Sequence, residues 1–415
     1  MPVIPSPAAR NSEWKERAAH DRPSSSRCTS SRCTSVTSVP RGLERIGRGV
    51  RNRLARLNNE RVVRGQRLYN YSPTPSLVTG TTAVDRSSVP AIDVHNHLGY
   101  WLNGGKWLVP DVPALVGTMD ELGVAAMVNL DGRWGTELQQ NLDRYDRAHP
   151  GRFATFAHLD WTLLAIRGGA DRLPQMLESA KAAGVAGVKV WKDLGLAVRD
   201  EKGVLVLPDD PRLAPVWETA GALELPVLIH TADPVAFWSP VDRHNERFEE
   251  LARHPDRQYG SKSVPTHPRL MEALEHVVAD HSGTTFIGAH VASHAENLRE
   301  VDRLLATYPN LSIDLAARES ELGRQPRATR ALIEAHPDRV MFGTDCFPVD
   351  AKQYRLWFRL LETADEYFPY SVHEPPERGR WSVSGLNLGQ ESLMSIYSKN
   401  ARRAIPALAT AGPKG

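Results

Sequence analysis

The residues of this chain best suited to chemistry stand where short apolar segments end. His95 and His97 close the first segment, and side chains two positions apart in a β-strand point to the same side. His230, His290 and Asp345 end three later segments. Imidazoles and a carboxylate suit a divalent transition metal, whose charge lowers the pKa of bound water or polarises a substrate oxygen. The pattern therefore predicts a metal centre.

Eight apolar segments are predicted to be strands, and a segment with helical periodicity follows each. The strand segments are Ala91–His97, Val124–Leu130, Phe153–Leu159, Ala186–Trp191, Pro226–Thr231, Thr285–His290, Leu311–Ala317 and Arg339–Asp345. Continuous apolar strands are typical of a parallel sheet covered by helices. The repeated alternation predicts an α/β fold, a (βα)8 TIM barrel, in which strand ends meet at one mouth. An open doubly wound sheet is the alternative, but no Gly-rich phosphate fingerprint follows the first strand.

The N-terminal region differs from the rest in composition. Residues 1–67 are rich in Ser, Thr, Pro and Arg, and we expect a disordered basic tail because so little apolar surface cannot offset the entropy of ordering. Within it, residues 41–67 combine arginines with scattered apolar residues, so a basic amphipathic helix is one interpretation and a solvated segment without a role is the other. Residues 68–88 are interpreted as an extended lead-in and residues 89–410 as the catalytic domain.

Composition excludes several classes of protein. The 415 residues carry 51 Lys and Arg against 49 Asp and Glu, and this near-neutral balance gives no reason to expect nucleic acid as a partner. No apolar run approaches the roughly 20 residues of a membrane span. The 3 cysteines form no disulfide framework and no secretory signal is evident, which favours a reducing compartment. We expect a cytoplasmic protein.

Several motifs, in this order along the chain, resemble those of the amidohydrolase superfamily. They are D-V-H-N-H at 93–97, G-V-K-V at 187–190, L-I-H-T at 228–231, G-A-H at 288–290 and F-G-T-D-C-F-P at 342–348. More narrowly, they are similar to the amidohydrolase-2 branch, which includes metal-dependent hydrolases, lactonases and non-oxidative decarboxylases such as the aminocarboxymuconate semialdehyde enzyme. The resemblance covers about residues 69 to 405 and leaves the tail outside.

The resemblance implies roles for the residues at the strand ends. His95, His97, His230 and Asp345 would hold one divalent metal, with zinc expected and manganese or iron as alternatives. Asp345 would also accept a proton from the attacking water and pass it to the leaving group. His290 would polarise the substrate or shuttle a proton, and the simpler interpretation of His290 is a structural histidine behind the site.

Four further residues are candidates for substrate binding. Lys189 can bind a substrate carboxylate or, as in some members of the superfamily, bridge two metals as a carboxylated lysine. Arg318, after the seventh strand, can clamp an anion, although a surface ion pair is an equal alternative. Trp238 and Arg243 lie in the long interval after the fifth strand, where loops of a barrel build pockets. We expect a carboxylated or cyclic small molecule as substrate, and a homodimer as the default for barrel enzymes.

The leading functional hypothesis is a metal-dependent hydrolase that acts at the carbonyl of an amide, lactone or ester through a metal-activated water. A non-oxidative decarboxylase or hydratase of an aromatic or unsaturated acid is the alternative, because it would use the same ligands. A non-catalytic binding protein is a third class. The intact ligand set argues against it, since a degenerate enzyme would be expected to lose a costly ligand.

Overall fold

A computed structural model of the chain describes residues 41–260 and 263–411. Eight parallel strands, β1 to β8, pair in sequence order. Their bounds are Ala91–Asn96, Val124–Asn129, Phe153–Ala157, Gly187–Val190, Val227–Ile229, Phe286–Gly288, Leu311–Asp314 and Val340–Met341. Each strand coincides with a predicted segment, and each ends earlier than predicted. The residues after the last pairing therefore belong to loops at the mouth of the barrel.

A helix follows each strand, as the periodicity predicts. The helices are Val112–Leu122, Gly135–Leu142, Leu173–Ala183, Ala214–Ala222, His267–Asp280, Leu298–Thr307, Pro326–Ala335 and Ala351–Glu362. Backbone hydrogen bonds join the two ends of the sheet, because Val94 N–H donates to Phe342 O at 3.0 Å and Asp345 N–H donates to His95 O at 2.8 Å. The fold is a TIM barrel, and the predicted fold class is confirmed.

The apolar core has two layers. Alternate strand residues, including Ile92, Leu228, Ile287 and Met341, pack together inside the barrel, whereas their neighbours pack against the surrounding helices. Burial on both faces explains why the strands are continuous apolar runs in the sequence. At β1 the pairing with β2 shifts register between Asp93 and Asn96, next to the two histidines at the end of the strand.

The N-terminal region is described from residue 41 onward. Arg41–Gly65 is a helix, and Val50, Leu54 and Leu57 are exposed on it. A helix over this range is what the amphipathic-helix interpretation predicts. The disordered tail stays a prediction, and residues 1–40 lie outside the described residues. The barrel belongs to a separate unit, Thr79–Gly415. Among the described residues, no helix is long and apolar enough to cross a membrane.

Candidate metal centre

The histidines and the aspartate predicted at the strand ends converge at the mouth of the barrel. Oδ1 of Asp345 lies 3.5 Å from Nε2 of His97 and 3.9 Å from Nε2 of His95. The ligand atoms of His95, His290 and Asp345 all lie within 4.8 Å of one another. The ring of His230 is 4.4 Å from that of His290 between centroids. The structure therefore brings together all five residues that the sequence singled out.

Two carboxylates orient the histidines of β1. Asp314 Oδ2 lies 2.8 Å from His95 Nδ1, and Asp131 Oδ1 lies 2.7 Å from His97 Nδ1. Since a carboxylate accepts, each Nδ1 carries the proton and each Nε2 keeps a lone pair that faces Asp345. Sequence reasoning missed both carboxylates. Asp131 directly follows the second predicted strand, so the strand-end criterion would have found it. Asp314 lies inside the seventh predicted segment, and only the structure shows that β7 ends there.

Burial keeps the imidazole of His95 neutral, which is the form that binds a metal. Desolvation holds the pKa of His95 well below its usual range, and the charges of Lys189 and His97 lower it further. Desolvation also raises the pKa of Asp345. For Asp314, burial raises the pKa to about 6, although the hydrogen bond from the His290 N–H lowers it in part.

His230 is a buried imidazole without a hydrogen bond. Neither of its ring nitrogens has a hydrogen-bond partner among the described residues, and Asp233 Oδ1 is 3.7 Å from its Nε2. Desolvation lowers the pKa of His230 to about 4. Asp345 Oδ1 is also buried without a hydrogen-bond donor in the described part of the chain. Such unsatisfied polar atoms are costly unless a ligand completes them, so this set of imidazole nitrogens and a carboxylate oxygen fits a divalent cation.

His290 presents a lone pair to the same site. Its Nδ1 lies 2.8 Å from the carbonyl oxygen of Ala316, which can only accept, so Nδ1 carries the proton and Nε2 is bare. Burial, together with the charges of His230 and His95, holds the pKa of His290 well below its ordinary value. A neutral imidazole with a bare Nε2 accepts a proton or binds a metal. Of the two predicted roles, this geometry favours the proton shuttle over the polarising donor.

Lys189 points into the barrel and Lys192 does not. Lys189 Nζ is fully buried 3.4 Å from His95 Nε2, and burial lowers its pKa to about 8 despite nearby carboxylates such as Asp314. Lys192 instead forms an ion pair with Asp233 at 2.6 Å. Of these two lysines, Lys189 is therefore the one at the site.

Arg318 lies beside the histidines. It is buried, its Nη1 donates to Ala317 O at 2.8 Å, and its charge contributes to the lowered pKa of both His95 and His290, after the effects of burial and nearer charges. It pairs with no carboxylate of the described residues, so the alternative of a surface ion pair does not hold there. The adjacent Glu319 pairs with Arg378 at 3.1 Å.

A buried charge network connects the loops around the mouth. Arg247, in the loop after β5, bonds Glu250 at 2.8 Å and also bonds Glu321, which follows β7. Burial raises the pKa of Glu321, but the charges of Arg247 and Arg318 lower it more, and the net effect lowers this pKa to about 2. The network fixes the loop after β5 relative to the segment that carries Arg318.

The other two predicted substrate-binding residues lie within the loop after β5. Trp238 is half-buried, donates its indole N–H to Pro265 O at 2.9 Å and packs on Tyr259 with 4.7 Å between ring centroids. Arg243 is exposed, and its Nε lies 3.0 Å from Nε2 of the neighbouring His244. No contact between either residue and the five converging residues is present in the described part of the chain. Their role in substrate binding stays a prediction.

Aromatic rings form one wall of the site. The ring centroids of Trp191 and Phe347 lie 5.2 and 4.9 Å from that of His97, both edge to face. Trp101 contacts Trp191 at 5.5 Å, and the guanidinium of Arg133 lies 4.7 Å above the Trp101 ring. Arg133 and Phe347 were not selected as site residues from the sequence, because their positions depend on loop conformation.

The wall and the ligands leave one side of Asp345 open. Its side chain is 19% exposed, whereas those of His95 and His97 are each 1% exposed. A small molecule would therefore reach the ligands past Asp345.

Comparisons with known proteins agree with this architecture. The profile of a family described as amidohydrolase matches residues 92–406. A 2,6-dihydroxybenzoate decarboxylase from Rhizobium has a similar fold, with a TM-score of 0.50, 16% identity and coverage of 76% of this chain and 98% of that chain. A 2,6-dihydroxybenzoate decarboxylase complexed with 2,6-dihydroxybenzoate has a TM-score of 0.50 and 15% identity, and the match covers 76% of this chain and 99% of that chain. A dihydroxybenzoic acid decarboxylase from Polaromonas sp. JS666, with bound manganese and 2-nitroresorcinol, has a TM-score of 0.47 and 16% identity, and the match covers 76% of this chain and 96% of that chain. No curated protein sequence matches.

Proposed function

Since the chain belongs to the amidohydrolase family, we propose that it is a metal-dependent hydrolase that cleaves an amide, lactone or ester of a small molecule. The observation that carries this proposal is the position of Asp345. Its Oδ1 is buried, lacks a hydrogen-bond donor among the described residues, and lies between the Nε2 atoms of His95 and His97. A carboxylate oxygen in that place can take the proton of an attacking water.

A divalent cation held by His95, His97, His230 and Asp345 would supply a Lewis acid that polarises the substrate carbonyl and acidifies water. We propose zinc, because imidazole nitrogens with one carboxylate suit it, and manganese or iron tolerate the same set. Desolvation raises the pKa of Asp345, which makes this carboxylate a better proton acceptor once it is ionised.

His290 supplies a second proton acceptor close to Asp345. Its bare Nε2 can take a proton during attack and return it to the leaving group, which corresponds to the shuttle role. Oxyanion stabilisation by His290 is not part of the proposal, because a neutral imidazole with its proton on Nδ1 has no hydrogen to donate at Nε2.

The substrate is proposed to be anionic and to contain a ring. Arg318 offers a buried guanidinium that pairs with no carboxylate of the described residues, and such a group binds a substrate carboxylate with charge-assisted hydrogen bonds. Arg133, held against Trp101, offers a second guanidinium on the side of the aromatic wall. Trp191 and Phe347 supply flat apolar faces against which a ring can pack.

The second candidate function is non-oxidative decarboxylation or hydration of an aromatic or unsaturated acid. The aromatic wall next to His97 favours it, because a planar ring would lie against Trp191 while Arg318 binds its carboxylate. This chemistry needs a proton donor toward carbon. Lys189, whose pKa burial lowers to about 8, is the buried group that can supply a proton near neutral pH.

One assay separates the two functions. Metal-loaded protein is incubated with matched pairs of compounds, a benzoate that carries a neighbouring lactone and the same benzoate without it, and both acid release and carbon dioxide are recorded. Acid release from the lactone without carbon dioxide supports hydrolysis. Release of carbon dioxide from both compounds would overturn hydrolysis and support decarboxylation. Protein that binds no metal and turns over neither compound would bring forward the non-catalytic class.

The cytoplasmic location and the homodimer remain proposals. The 3 cysteines, which form no disulfide framework, support a reducing compartment such as the cytoplasm. The homodimer is proposed because two-fold symmetric dimers are the commonest soluble oligomers.

A further inference from the structure

We infer that Asp314 is a positioning residue that holds the metal ligand His95 and the proton acceptor His290 with a single carboxylate. The roles of metal ligand and proton acceptor rest on the proposed function, whereas the hydrogen bonds of Asp314 are independent of it. No comparison assigns a role to Asp314, and it lies at the end of β7, on a strand from which sequence analysis had selected only Arg318 in the loop beyond.

Each oxygen of Asp314 serves a different partner. Oδ2 accepts from His95 Nδ1 at 2.8 Å. Oδ1 accepts from the backbone N–H of His290 at 2.8 Å and from that of Ala316 at 3.1 Å. The side chain is completely buried, so water does not compete for these bonds. One carboxylate therefore sets the tautomer of His95 and the backbone position of His290.

The His290 ring is held from the same strand end. Ala316 donates its N–H to Asp314 and accepts from His290 Nδ1 through its carbonyl oxygen at 2.8 Å. His290 is thus bonded twice, through its backbone to Asp314 and through its ring to Ala316. Loss of the Asp314 carboxylate would release the first bond directly and would loosen the second, because Ala316 would lose its own anchor.

The backbone at His290 requires such an anchor. His290, Val291, Ala292 and Ser293 have φ values of 56°, 60°, 51° and 60°, a left-handed turn without glycine. The left-handed conformation is strained for each non-glycine residue, because its Cβ approaches the following carbonyl oxygen. Surrounding bonds must compensate this strain, and the bond from His290 N–H to Asp314 is at its start. Without the carboxylate, relaxation of the turn would move the His290 ring away from Asp345.

Asp131 provides the matched comparison. It accepts from His97 Nδ1 at 2.7 Å, as Asp314 does from His95, but its other partners are Trp101 Nε1 at 2.8 Å and Gly99 N–H at 3.0 Å. None of these forms a hydrogen bond with His290 in the described part of the chain. Both aspartates set a ligand tautomer, and Asp314 has the additional contact with His290.

The substitution Asp314→Asn separates these effects. An amide has one acceptor oxygen and one donor NH2 in place of two acceptors. If the oxygen keeps the backbone N–H bonds, the NH2 faces His95 Nδ1, and His95 must move its proton to Nε2. A protonated Nε2 cannot bind metal. We expect zinc affinity, measured by competition with a chelator, to fall about 10–100-fold.

The decisive measurement is the imidazole spectrum of the metal-free full chain, with 15N-labelled histidine, in the wild type, Asp314→Asn and Asp131→Asn. We expect Asp314→Asn to move the His95 proton from Nδ1 to Nε2 and to shift the His290 signals. Asp131→Asn should change His97 and leave His290 as in the wild type. An unchanged His290 spectrum in Asp314→Asn would overturn the inference. The inference would also fail if His95 in this variant kept its proton on Nδ1.

A second variant covers the case in which Asp314→Asn does not fold. Asp314→Glu keeps a carboxylate and should retain the His95 tautomer, but its longer side chain should displace the backbone at His290 and shift the His290 signals. If both histidines match the wild type, Asp314 does not position them. Because no substrate is present in these spectra, an inactive wild-type protein would refute the proposed function without affecting this test.

Discussion

The Nζ atom of Lys189 lies 3.4 Å from Nε2 of His95, the nitrogen that the proposed metal centre would use as a ligand. Asp314 holds the His95 proton on Nδ1, so Nε2 is an acceptor and the Lys189 ammonium is its donor. A cation bound at Nε2 would displace this donor. Either Lys189 moves toward a substrate carboxylate, or it becomes part of the metal centre.

Metal content per chain tests these alternatives for Lys189. We expect about one zinc per chain in the wild type, because His95, His97, His230 and Asp345 would supply the four ligands that zinc usually takes. Lys189→Met, which fills the same buried space, should keep that content. The His95→Ala/His97→Ala double variant should lose it. About two metals in the wild type that fall to about one in Lys189→Met would make the lysine a bridging ligand.

Asp345→Asn should retain the fold and lose turnover. The amide keeps an oxygen near the histidines but cannot accept a proton from water, so kcat should fall by about 10²–10⁴-fold. Metal content measured on the same sample separates loss of the base from loss of the ligand. Asp338→Asn, at a largely exposed carboxylate, is the control and should leave kcat unchanged. Wild-type kcat in Asp345→Asn would remove this residue from the mechanism.

Arg318→Met should weaken binding of carboxylated substrates. Loss of a charge-assisted contact costs about 1.5–3 kcal/mol, so KM should rise roughly 10–100-fold for a carboxylated substrate and little for its neutral ester. Arg243→Met tests the substrate-binding role predicted for that exposed residue, and an unchanged KM would remove Arg243 from the binding site. An equal rise in KM for both substrates in Arg318→Met would indicate a structural role. A larger effect in Arg243→Met would place the loop after β5 over the substrate.

Glu321→Gln should flatten the acid limb of the stability profile. The pKa of Glu321 is lowered from 4.5 to about 2, so its ionised form stabilises the fold above pH 4.5, and that stability is lost as pH falls toward 2. The shift corresponds to roughly 3 kcal/mol of unfolding free energy. Denaturant unfolding of both proteins between pH 2 and pH 6 measures it. Glu334→Gln, in an exposed pair with Arg330, should keep the wild-type slope. An unchanged slope in Glu321→Gln would show that other carboxylates dominate acid unfolding.

Removal of residues 1–67 should leave the barrel functional. The barrel belongs to the unit Thr79–Gly415, and the family match begins at residue 92. We expect the shortened protein to equal the full chain in metal content, melting temperature and kcat. Altered binding to anionic lipid vesicles with unchanged kcat would assign a surface role to the Arg41–Gly65 helix. Reduced metal content would show that the N-terminal region supports the barrel.

The sequence alone determined the fold class and the set of converging residues. Continuous apolar strands that alternate with amphipathic helices leave few solutions other than a parallel barrel, because both faces of each strand must be buried. Once the barrel is predicted, its strand ends share one mouth, and His95, His97, His230, His290 and Asp345 follow from their positions along the chain.

Only the tertiary structure decided what each of these residues can do. Asp131 and Asp314 set the histidine tautomers through hydrogen bonds between distant strands, and the Ala316 carbonyl leaves His290 with a bare Nε2. The positions of Arg318 and Arg243 also depended on the fold. Arg318 is buried beside the histidines, whereas Arg243 is exposed in its loop. Strand periodicity fixes the direction of a side chain on a regular element, but loop conformation and donor–acceptor pairing depend on neighbours that are remote in sequence.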